Sequence, residues 1–311
     1  GFTGASSDAG ITVRNGAQIT SHGGAIALVS TSVTTEAGSS ISAQDGGNVL
    51  YGAAAKYKIS FRPTGADDLD LLSFEVASGA DGTASTANGG DLLSLSGNTS
   101  GNRVFAALVS KTNVFSRLLS TRTVTASTAA LDETGAIVLT TNHNIVNGAA
   151  AATAVANNGG ADLGLANAGS LTAPAITVRS SDSITGGGGI TAAGGAVDLA
   201  AENGVLWLDS AAITAGTLNA RAAASLKLTG GSNQIDKVTG LTSGDYINFY
   251  SYTGTGTEIA GDIVAPGNVN LNVGGASGSG VIRAAYAELS GDGAYNLDTA
   301  TTLDFVYAIN H

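Results

Sequence analysis

The 311-residue sequence contains no cysteine, no methionine, only three prolines and few charged side chains. Because cysteine is absent, neither a disulfide framework nor a thiolate metal site can form. The net charge of −11, with 13 basic residues scattered along the chain, argues against the clustered Lys and Arg that nucleic acid phosphates require. No apolar run approaches the ~18 residues of a membrane-spanning helix. We therefore expect no nucleic acid partner and no membrane insertion.

The chain does not begin with methionine, and Gly1-Phe2-Thr3-Gly4 contains neither the basic nor the apolar region of a signal peptide. We therefore expect a processed chain or an excised piece. An exported protein whose signal has been removed fits this expectation, and so does a segment from the middle of a longer protein.

Charged residues make up 12% of the chain, against roughly 25% in an average globular domain. Disorder is nevertheless excluded, because it requires low hydrophobicity and 43% of these residues are hydrophobic. Glycine is abundant, with 45 residues, and suits tight corners. Val, Ile and Thr suit the pleated surface of a strand. The composition favours a narrow interior of stacked small side chains.

A short phrase of two glycines followed by alternating apolar residues recurs along the chain. Its copies are Gly23-Gly24-Ala25-Ile26-Ala27-Leu28, Gly46-Gly47-Asn48-Val49-Leu50-Tyr51, Gly89-Gly90-Asp91-Leu92-Leu93-Ser94 and Gly194-Gly195-Ala196-Val197-Asp198-Leu199. The intervals between them are 23, 43 and 105 residues, close to one, two and five steps of about 21. Alternation indicates strands and glycine pairs indicate turns. The sequence therefore predicts an all-β fold, a parallel β-helix with one coil per step.

The repeated units predict a β-helical shaft over residues 1–240 with excursions near 62–82 and 101–125. In the first, Arg62-Pro63-Thr64-Gly65 contains a proline that cannot donate to a sheet, which predicts a protruding loop before a strand at 71–76 returns to the stack. The second predicts a hairpin or short helix covering one face, because basic side chains stand there among large apolar ones; they are Arg103, Lys111, Arg117 and Arg122. Beyond a turn at Gly186 to Gly189, apolar positions including Val205 with Trp207 are expected to continue the coils.

Residues 241–311 form a more aromatic terminal section that is expected to continue or close the helix. It holds six of the eight tyrosines. Alternation places four residues on one face as a candidate contact surface; they are Tyr246, Asn248, Tyr250 and Tyr252. Exposed rings can stack on sugars or anchor a protein contact, whereas the alternative is that they pack under a loop. The last strand is a candidate end cap or intersubunit strand, with an apolar face formed by Leu303, Phe305, Tyr307 and Ile309.

Several sequence segments in the first half of the chain are similar to segments of a known protein family. They are Ile41-Ser42-Ala43-Gln44-Asp45-Gly46-Gly47-Asn48-Val49-Leu50-Tyr51-Gly52-Ala53, Lys58-Ile59-Ser60-Phe61, Leu72-Ser73-Phe74-Glu75-Val76, and Val124-Thr125-Ala126 leading to Gly135-Ala136-Ile137-Val138-Leu139. Over roughly residues 11–145 the chain resembles the large exoproteins of the filamentous haemagglutinin type, which are exported by two-partner secretion. The secretion domain of that family has asparagine-proline motifs. It is not found here, because none of the prolines follows an asparagine.

This resemblance implies a right-handed parallel β-helix that serves as a shaft. It also implies a secreted or cell-surface location in a Gram-negative bacterium, with a role in adhesion or aggregation, for example in a biofilm matrix. The partners expected from it are other copies of the chain, or glycans and proteins of a surface.

The strongest carboxylate cluster falls in the first excursion and consists of Asp67, Asp68, Asp70 and Glu75. Paired carboxylates can hydrolyse glycosides, and oxygen ligands can hold calcium, but these lack the ordered spacing of a known calcium loop. We expect them to be solvated loop residues. His22, His143 and His311 lie far apart and are expected at the surface. The sequence thus predicts no catalytic residue, no cofactor and no metal, with calcium as the one alternative.

The open ends of a β-helix present unpaired backbone groups, and no amphipathic helix at either terminus is expected to cover them. The chain is then either a segment of a longer rod or a subunit that stacks end to end through heterologous contacts. We expect a non-enzymatic extracellular structural or adhesive rod. The alternatives are a self-assembling fibre subunit and a polysaccharide-active enzyme, and a cleft where acidic and basic side chains converge would distinguish the enzyme.

Overall fold

The computed structural model describes residues 10–54, 57–63, 69–75, 93–109, 114–119, 123–126, 135–155, 160–291, 295–297 and 306–309. These residues form strands and, in the ranges just given, no helix. The strands are β1 Ile11–Val13, β2 Gln18–His22, β3 Ile26–Ser30, β4 Val33–Thr35, β5 Ser40–Gln44, β6 Asn48–Ala53, β7 Lys58–Pro63, β8 Leu69–Glu75, β9 Leu93–Leu95, β10 Asn98–Gly101, β11 Arg103–Leu108, β12 Val114–Leu119, β13 Thr123–Ala126, β14 Ala136–Thr141, β15 His143–Val146, β16 Ala149–Ala154, β17 Ala161–Leu165, β18 Ser170–Thr172, β19 Ala175–Ser180, β20 Ile184–Ala201, β21 Leu206–Ala222, β22 Leu226–Leu228, β23 Gln234–Ser243, β24 Ile247–Ser251, β25 Thr257–Ile259, β26 Ile263–Val264, β27 Asn268–Val273, β28 Ala276–Gly278, β29 Ile282–Arg283, β30 Tyr286–Ser290, β31 Tyr295–Leu297 and β32 Val306–Ile309.

Most of these strands stack as the parallel rungs of a helix with three faces. Strand β20 shows one rung: β17 pairs in parallel with its part around Ile184, β18 with that around Ile190, and β19 with that around Val197. We call the side of the rod that contains Ile184 the first face, the side that contains Ile190 the second face, and the side that contains Val197 the third face. Strand β21 pairs along the same three parts one rung later. About 10 turns are stacked in this way, and the predicted all-β parallel β-helix is confirmed.

The interior consists of columns of aliphatic side chains that run along the rod. One column on the third face passes through paired residues that are each at most 8% exposed; they are Ile26, Val49, Val104, Ile137, Ile176, Val197, Leu218, Val238 and Ile259. Paired strands lie about 4.8 Å apart, so each of these side chains covers the next. No rung could bury its apolar face alone, and stacking is what stabilises the fold.

The number of rungs differs from the repeat prediction. The first interval is one rung, since a Cβ atom on Gly47 would overlap the carbonyl oxygen of Gly24. The two intervals from Gly46 to Gly194 predict seven steps, but the third-face column passes from Val49 to Val197 in four. That part of the prediction is wrong, because inserted hairpins lengthen the chain between paired residues without adding a rung.

Two hairpins leave the stack and form a separate antiparallel sheet, which we call the covering sheet. Strand β7 pairs with β8, β15 pairs with β16, and Ile145 of β15 lies opposite Phe74 of β8. The strand order is β16-β15-β8-β7. The strand expected at 71–76 to return to the stack is therefore part of a hairpin instead. A short connection favours antiparallel pairing of neighbouring strands, since a parallel pair needs a long crossover.

The covering sheet packs on the outside of the third face. Phe74 and Ile145 of the sheet are fully buried against the outward-facing side chains of the rungs, namely Leu50, Phe105 and Val138. Strands β6, β11 and β14 are thus covered on both sides. A strand buried on both sides is a continuous apolar run and does not alternate.

The excursion expected over residues 101–125 is wrong, and the burial of these strands on both sides explains why. Strands β10 to β13 lie in the parallel stack and form neither a hairpin nor a helix: β11 pairs with β6 and β14 along its whole length, and β12 pairs with β17. The segment from Val104 to Leu108 is fully buried. It therefore lacks the alternation by which a strand is recognised in sequence.

The stack continues past residue 240. Strand β22 pairs with β24, and β24 with β27, so the described residues of the terminal section extend the rungs before it. In β32, Tyr307 and Ile309 pair with Glu288 and Ser290, the outward positions of β30. Leu303 and Phe305 lie outside the described residues. The boundary at 240 and the end-cap or intersubunit role of the last strand stay predictions.

Candidate interaction surface

The outside of the first face carries a strip of aromatic and polar side chains across neighbouring rungs. Trp207 pairs with Lys227, and Lys227 pairs with Asn248 on the next rung. Tyr246 precedes Ile247 at the start of β24. We call Trp207, Lys227, Tyr246 and Asn248 the aromatic strip. It is positioned by the inward neighbours of these residues, Leu206, Leu226 and Ile247, which are fully buried.

Trp207 belongs to strand β21, which continues the coils as expected, and its side chain lies on the outside of the rod. Its side chain is 39% exposed, whereas Leu206 and Leu208 on either side are 0% exposed. Val205 to Leu208 is a run of four apolar residues. Such a run fits either phase of the alternation, so the sequence pattern does not decide which pair points inward.

Lys227 lies between two aromatic rings. Its Nζ atom is 5.0 Å from the centroid of the Trp207 ring and 6.0 Å from that of Tyr246. The ring quadrupole attracts the ammonium, which holds the lysine over the indole. Within the described residues no carboxylate lies within 4.0 Å of this ammonium.

The structure describes all four residues that are predicted to share one face. Tyr246, Asn248 and Tyr250 are half-buried and alternate with buried residues, so they occupy the outer side of the first face. Tyr252 follows the strand, is 44% exposed, and meets the Tyr250 ring edge-on at 6.5 Å between centroids. The alternation is therefore as predicted from the sequence, while the contact role of these residues stays a prediction.

A shallow depression of about 340 Å³ adjoins the strip, lined by Asp245, Tyr246, Asn248, Gly267 and Asn268. The Asp245 carboxylate accepts a hydrogen bond from the Ser225 hydroxyl at 3.0 Å, which fixes its position. Carboxylate oxygens accept hydrogen bonds, and the two side-chain amides can both donate and accept. The strip thus combines ring faces with fixed hydrogen-bonding groups.

A second polar group lies where the covering sheet meets the rungs, around His143 at the start of β15. This imidazole is fully buried, with Nδ1 3.0 Å from the carbonyl oxygen of Ala151 and Nε2 3.3 Å from Oε2 of Glu202. Nε2 makes no hydrogen bond. Both neighbours are acceptors, whereas a neutral imidazole has one N–H. Burial lowers the pKa of His143, and this outweighs Glu202 and Ala151, which raise it.

The surface position expected for His143 is therefore wrong, because the hairpin that covers it is not visible in the sequence. His22 is exposed, as expected, and lies 3.5 Å from the carboxylate of Asp45. His311 lies outside the described residues.

Two arginines complete the group around Glu202. Arg221 donates to Oε1 of Glu202 at 3.0 Å, and Arg179 donates to the carbonyl oxygen of Ala151 at 2.8 Å. Arg179 also lies 3.9 Å from the carboxylates of Glu202 and Asp198. Acidic and basic side chains thus converge here, but the carboxylates are paired and the imidazole has no exposed surface. These hydrogen bonds and ion pairs hold strand β16 against strands β19 to β21 of the stack.

The predicted acidic cluster is described only in part. Asp67 and Asp68 lie outside the described residues, and Asp70 and Glu75 belong to β8 of the covering sheet. Within the part of the chain that the structure covers, no three His, Asp or Glu side chains are placed to hold a metal ion. The calcium alternative stays untested.

Comparisons of the chain with protein-family models, curated proteins and solved structures gave no match. The parallel β-helix implied by the resemblance is confirmed, while the filamentous haemagglutinin type itself stays a prediction. Among the residues described, there is no helix with the length and apolar character needed to cross a membrane.

Proposed function

We propose that this chain is a non-enzymatic β-helical rod that mediates adhesion or aggregation outside the cell. The observation that carries the proposal is the filled interior: about 10 stacked turns enclose aliphatic columns. The aromatic strip, by contrast, lies on the outside of the first face. Such a solenoid offers a long, rigid surface, which suits contact better than chemistry.

Two further points support an adhesive rod. The outer first face carries exposed rings beside fixed polar groups, and aromatic side chains dominate the energetics of contact surfaces. The resemblance over residues 11–145 implies an exported shaft at a bacterial surface. The extracellular location rests on that resemblance alone.

Electron microscopy and an adhesion assay test the proposal together. Negative-stain images of the purified chain should show single rods with a stacked length of about 48 Å, from about 10 turns at ~4.8 Å each. Beads coated with the chain should clump or adhere to polysaccharide-coated plates, unlike beads coated with serum albumin. Long uniform filaments would favour the fibre subunit, and beads that neither clump nor adhere would contradict the adhesive role.

A polysaccharide-active enzyme is the second candidate, and the group around Glu202 favours it, because acidic and basic side chains meet there. Incubation of the chain with neutral and acidic polysaccharides, followed by assay of new reducing ends and of unsaturated products, tests it. Product formation that is lost in Glu202→Gln would replace the rod proposal with catalysis. We expect no product from either protein.

A further inference from the structure

We propose that Trp207 and Tyr246, the two rings of the aromatic strip, bind a neutral polysaccharide together with the adjoining depression, with sugar rings stacked on both side chains. This inference rests on the proposed adhesive function and names its ligand.

The Trp207 ring is exposed on the surface of the rod, where a ligand can reach it. Among described side chains, the large hydrophobic ones classed as exposed are Val146, Trp207 and Tyr252. Trp207 alone of these stands on a strand in line with polar outward neighbours on successive rungs. The C–H face of a pyranose is apolar and flat, and an indole offers it a rigid surface with little loss of side-chain entropy. Lys227 covers part of that ring, and the exposed 39% of Trp207 remains for a ligand.

The depression supplies the groups that sugar hydroxyls need. Asp245 offers acceptors held in place by Ser225, and Asn248 and Asn268 offer amides that donate and accept. A pyranose has an apolar face and a rim of hydroxyls. Tyr246 lines the depression together with these three polar groups, so both parts of a sugar find a matching surface.

Spacing and charge select the kind of glycan. Trp207, Lys227 and Asn248 lie on three successive rungs about 4.8 Å apart, so an extended sugar chain can contact several rungs at once. A polyanion is disfavoured, because the whole chain carries a net charge of −11 and the depression contains Asp245. The core of a permanent protein interface is more apolar than this strip, in which the Lys227 ammonium separates the two rings.

Affinity electrophoresis tests the assignment with named probes. The chain is run in native gels containing hydroxyethyl cellulose, mixed-linkage β-glucan, galactomannan or, as the acidic arm, alginate. We expect retardation in at least one neutral gel. Trp207→Ala should weaken that binding about tenfold or more, the effect of losing a central aromatic anchor. Tyr252→Ala, which removes another exposed ring at the far end of β24, should leave it unchanged.

Lys227→Met separates the neutral glycan from an acidic one. Neutral polysaccharide should still bind this variant, since the ammonium only covers the indole. Retardation by alginate alone, abolished by Lys227→Met or by added salt, would overturn the assignment. So would equal binding by wild type and Trp207→Ala, or no retardation in any gel.

Circular dichroism of each variant should show that the rod is folded. Trp207→Phe is a second variant with a smaller ring, and it should bind the neutral polysaccharide with intermediate strength. The two proposals fail separately. Beads that clump, without any retardation by polysaccharide, would leave the rod's adhesive role intact and reject the sugar site.

Discussion

Asn233 is a buried amide that serves three backbone groups at one corner of the rod. Its Nδ2 atom donates to the carbonyl oxygens of Leu228 and Tyr250, both at 3.1 Å, and its Oδ1 accepts from the Ile213 amide at 2.9 Å. The side chain is 0% exposed, so water cannot replace it. A polar residue inside an aliphatic interior is explained by these bonds.

We therefore expect Asn233→Ala to destabilise the fold by about 3 kcal/mol, since buried groups left without partners cost about 1–3 kcal/mol each. The outward Asn272→Ala is the matched control and should change stability by less than about 0.5 kcal/mol. The midpoint of guanidinium unfolding measures both. Equal effects of the two substitutions would contradict the role given to Asn233.

His143 makes stability depend on pH. Burial lowers its pKa in the folded state, so between the folded value and the unfolded value of about 6.5 the unfolded chain binds more protons. The stability contributed by the neutral imidazole is thus fully present above about pH 6.5 and is lost as the pH falls through the folded pKa. His143→Gln should reduce the loss of stability on going from pH 7 to pH 5.

Thermal unfolding at several pH values checks this expectation. His22→Gln, at an exposed position, is the control and should keep the wild-type acid dependence. An acid dependence that is the same in both variants would show that His143 does not cause it.

At the scale of elements, the covering sheet depends on a close approach to the third face. Gly52 of β6 lies beneath Phe74: a Cβ atom there would be 2.7 Å from the Phe74 ring and 3.0 Å from Val29. A side chain at this position must displace the sheet. Glycine is required here because there is no room for a side chain, and not because of the backbone angles of Gly52.

Gly52→Val should therefore cost about 1–3 kcal/mol, typical of overpacking, and loosen the covering sheet before the rod. Hydrogen exchange should rise in β8 and β15 and stay slow in β21. Gly254→Val is the control, because a Cβ atom there meets nothing within 4 Å. Unchanged exchange in β8 would show that the sheet does not rest on Gly52.

The elements recognised from sequence are those with one buried side. The phrases before β3 and β6 mark strands correctly, because glycine turns and alternation are local properties. The sequence pattern places β11 in an excursion, since Phe105 is as buried as Val104 and periodicity cannot reveal a strand covered from outside. The sequence does not predict the aromatic strip for a related reason, although it does predict the tyrosine alternation beside it.

At the scale of the whole molecule, each rung contacts only the rungs above and below, so damage should stay local. Leu218 is fully buried in the third-face column between Val197 and Val238. Leu218→Ala should cost about 2–5 kcal/mol. Hydrogen exchange should increase in β20, β21 and β23 and remain at the wild-type level in β3 and β6.

This outcome follows from nearest-neighbour stabilisation in solenoids. Leu218→Ile keeps nearly the same volume and serves as the control, with a smaller effect expected. A uniform increase of exchange over all rungs would contradict the local picture and indicate one cooperative unit.

The sequence by itself determined that this chain is a parallel β-helix of small side chains, because alternation, glycine turns and low charge are properties of neighbouring residues. Only the tertiary structure decided the number of rungs, the covering sheet, the burial of His143 and the outward phase of Trp207. Each of these depends on which distant strand lies against a residue. A hairpin inserted between two paired positions changes that neighbour without changing the local pattern.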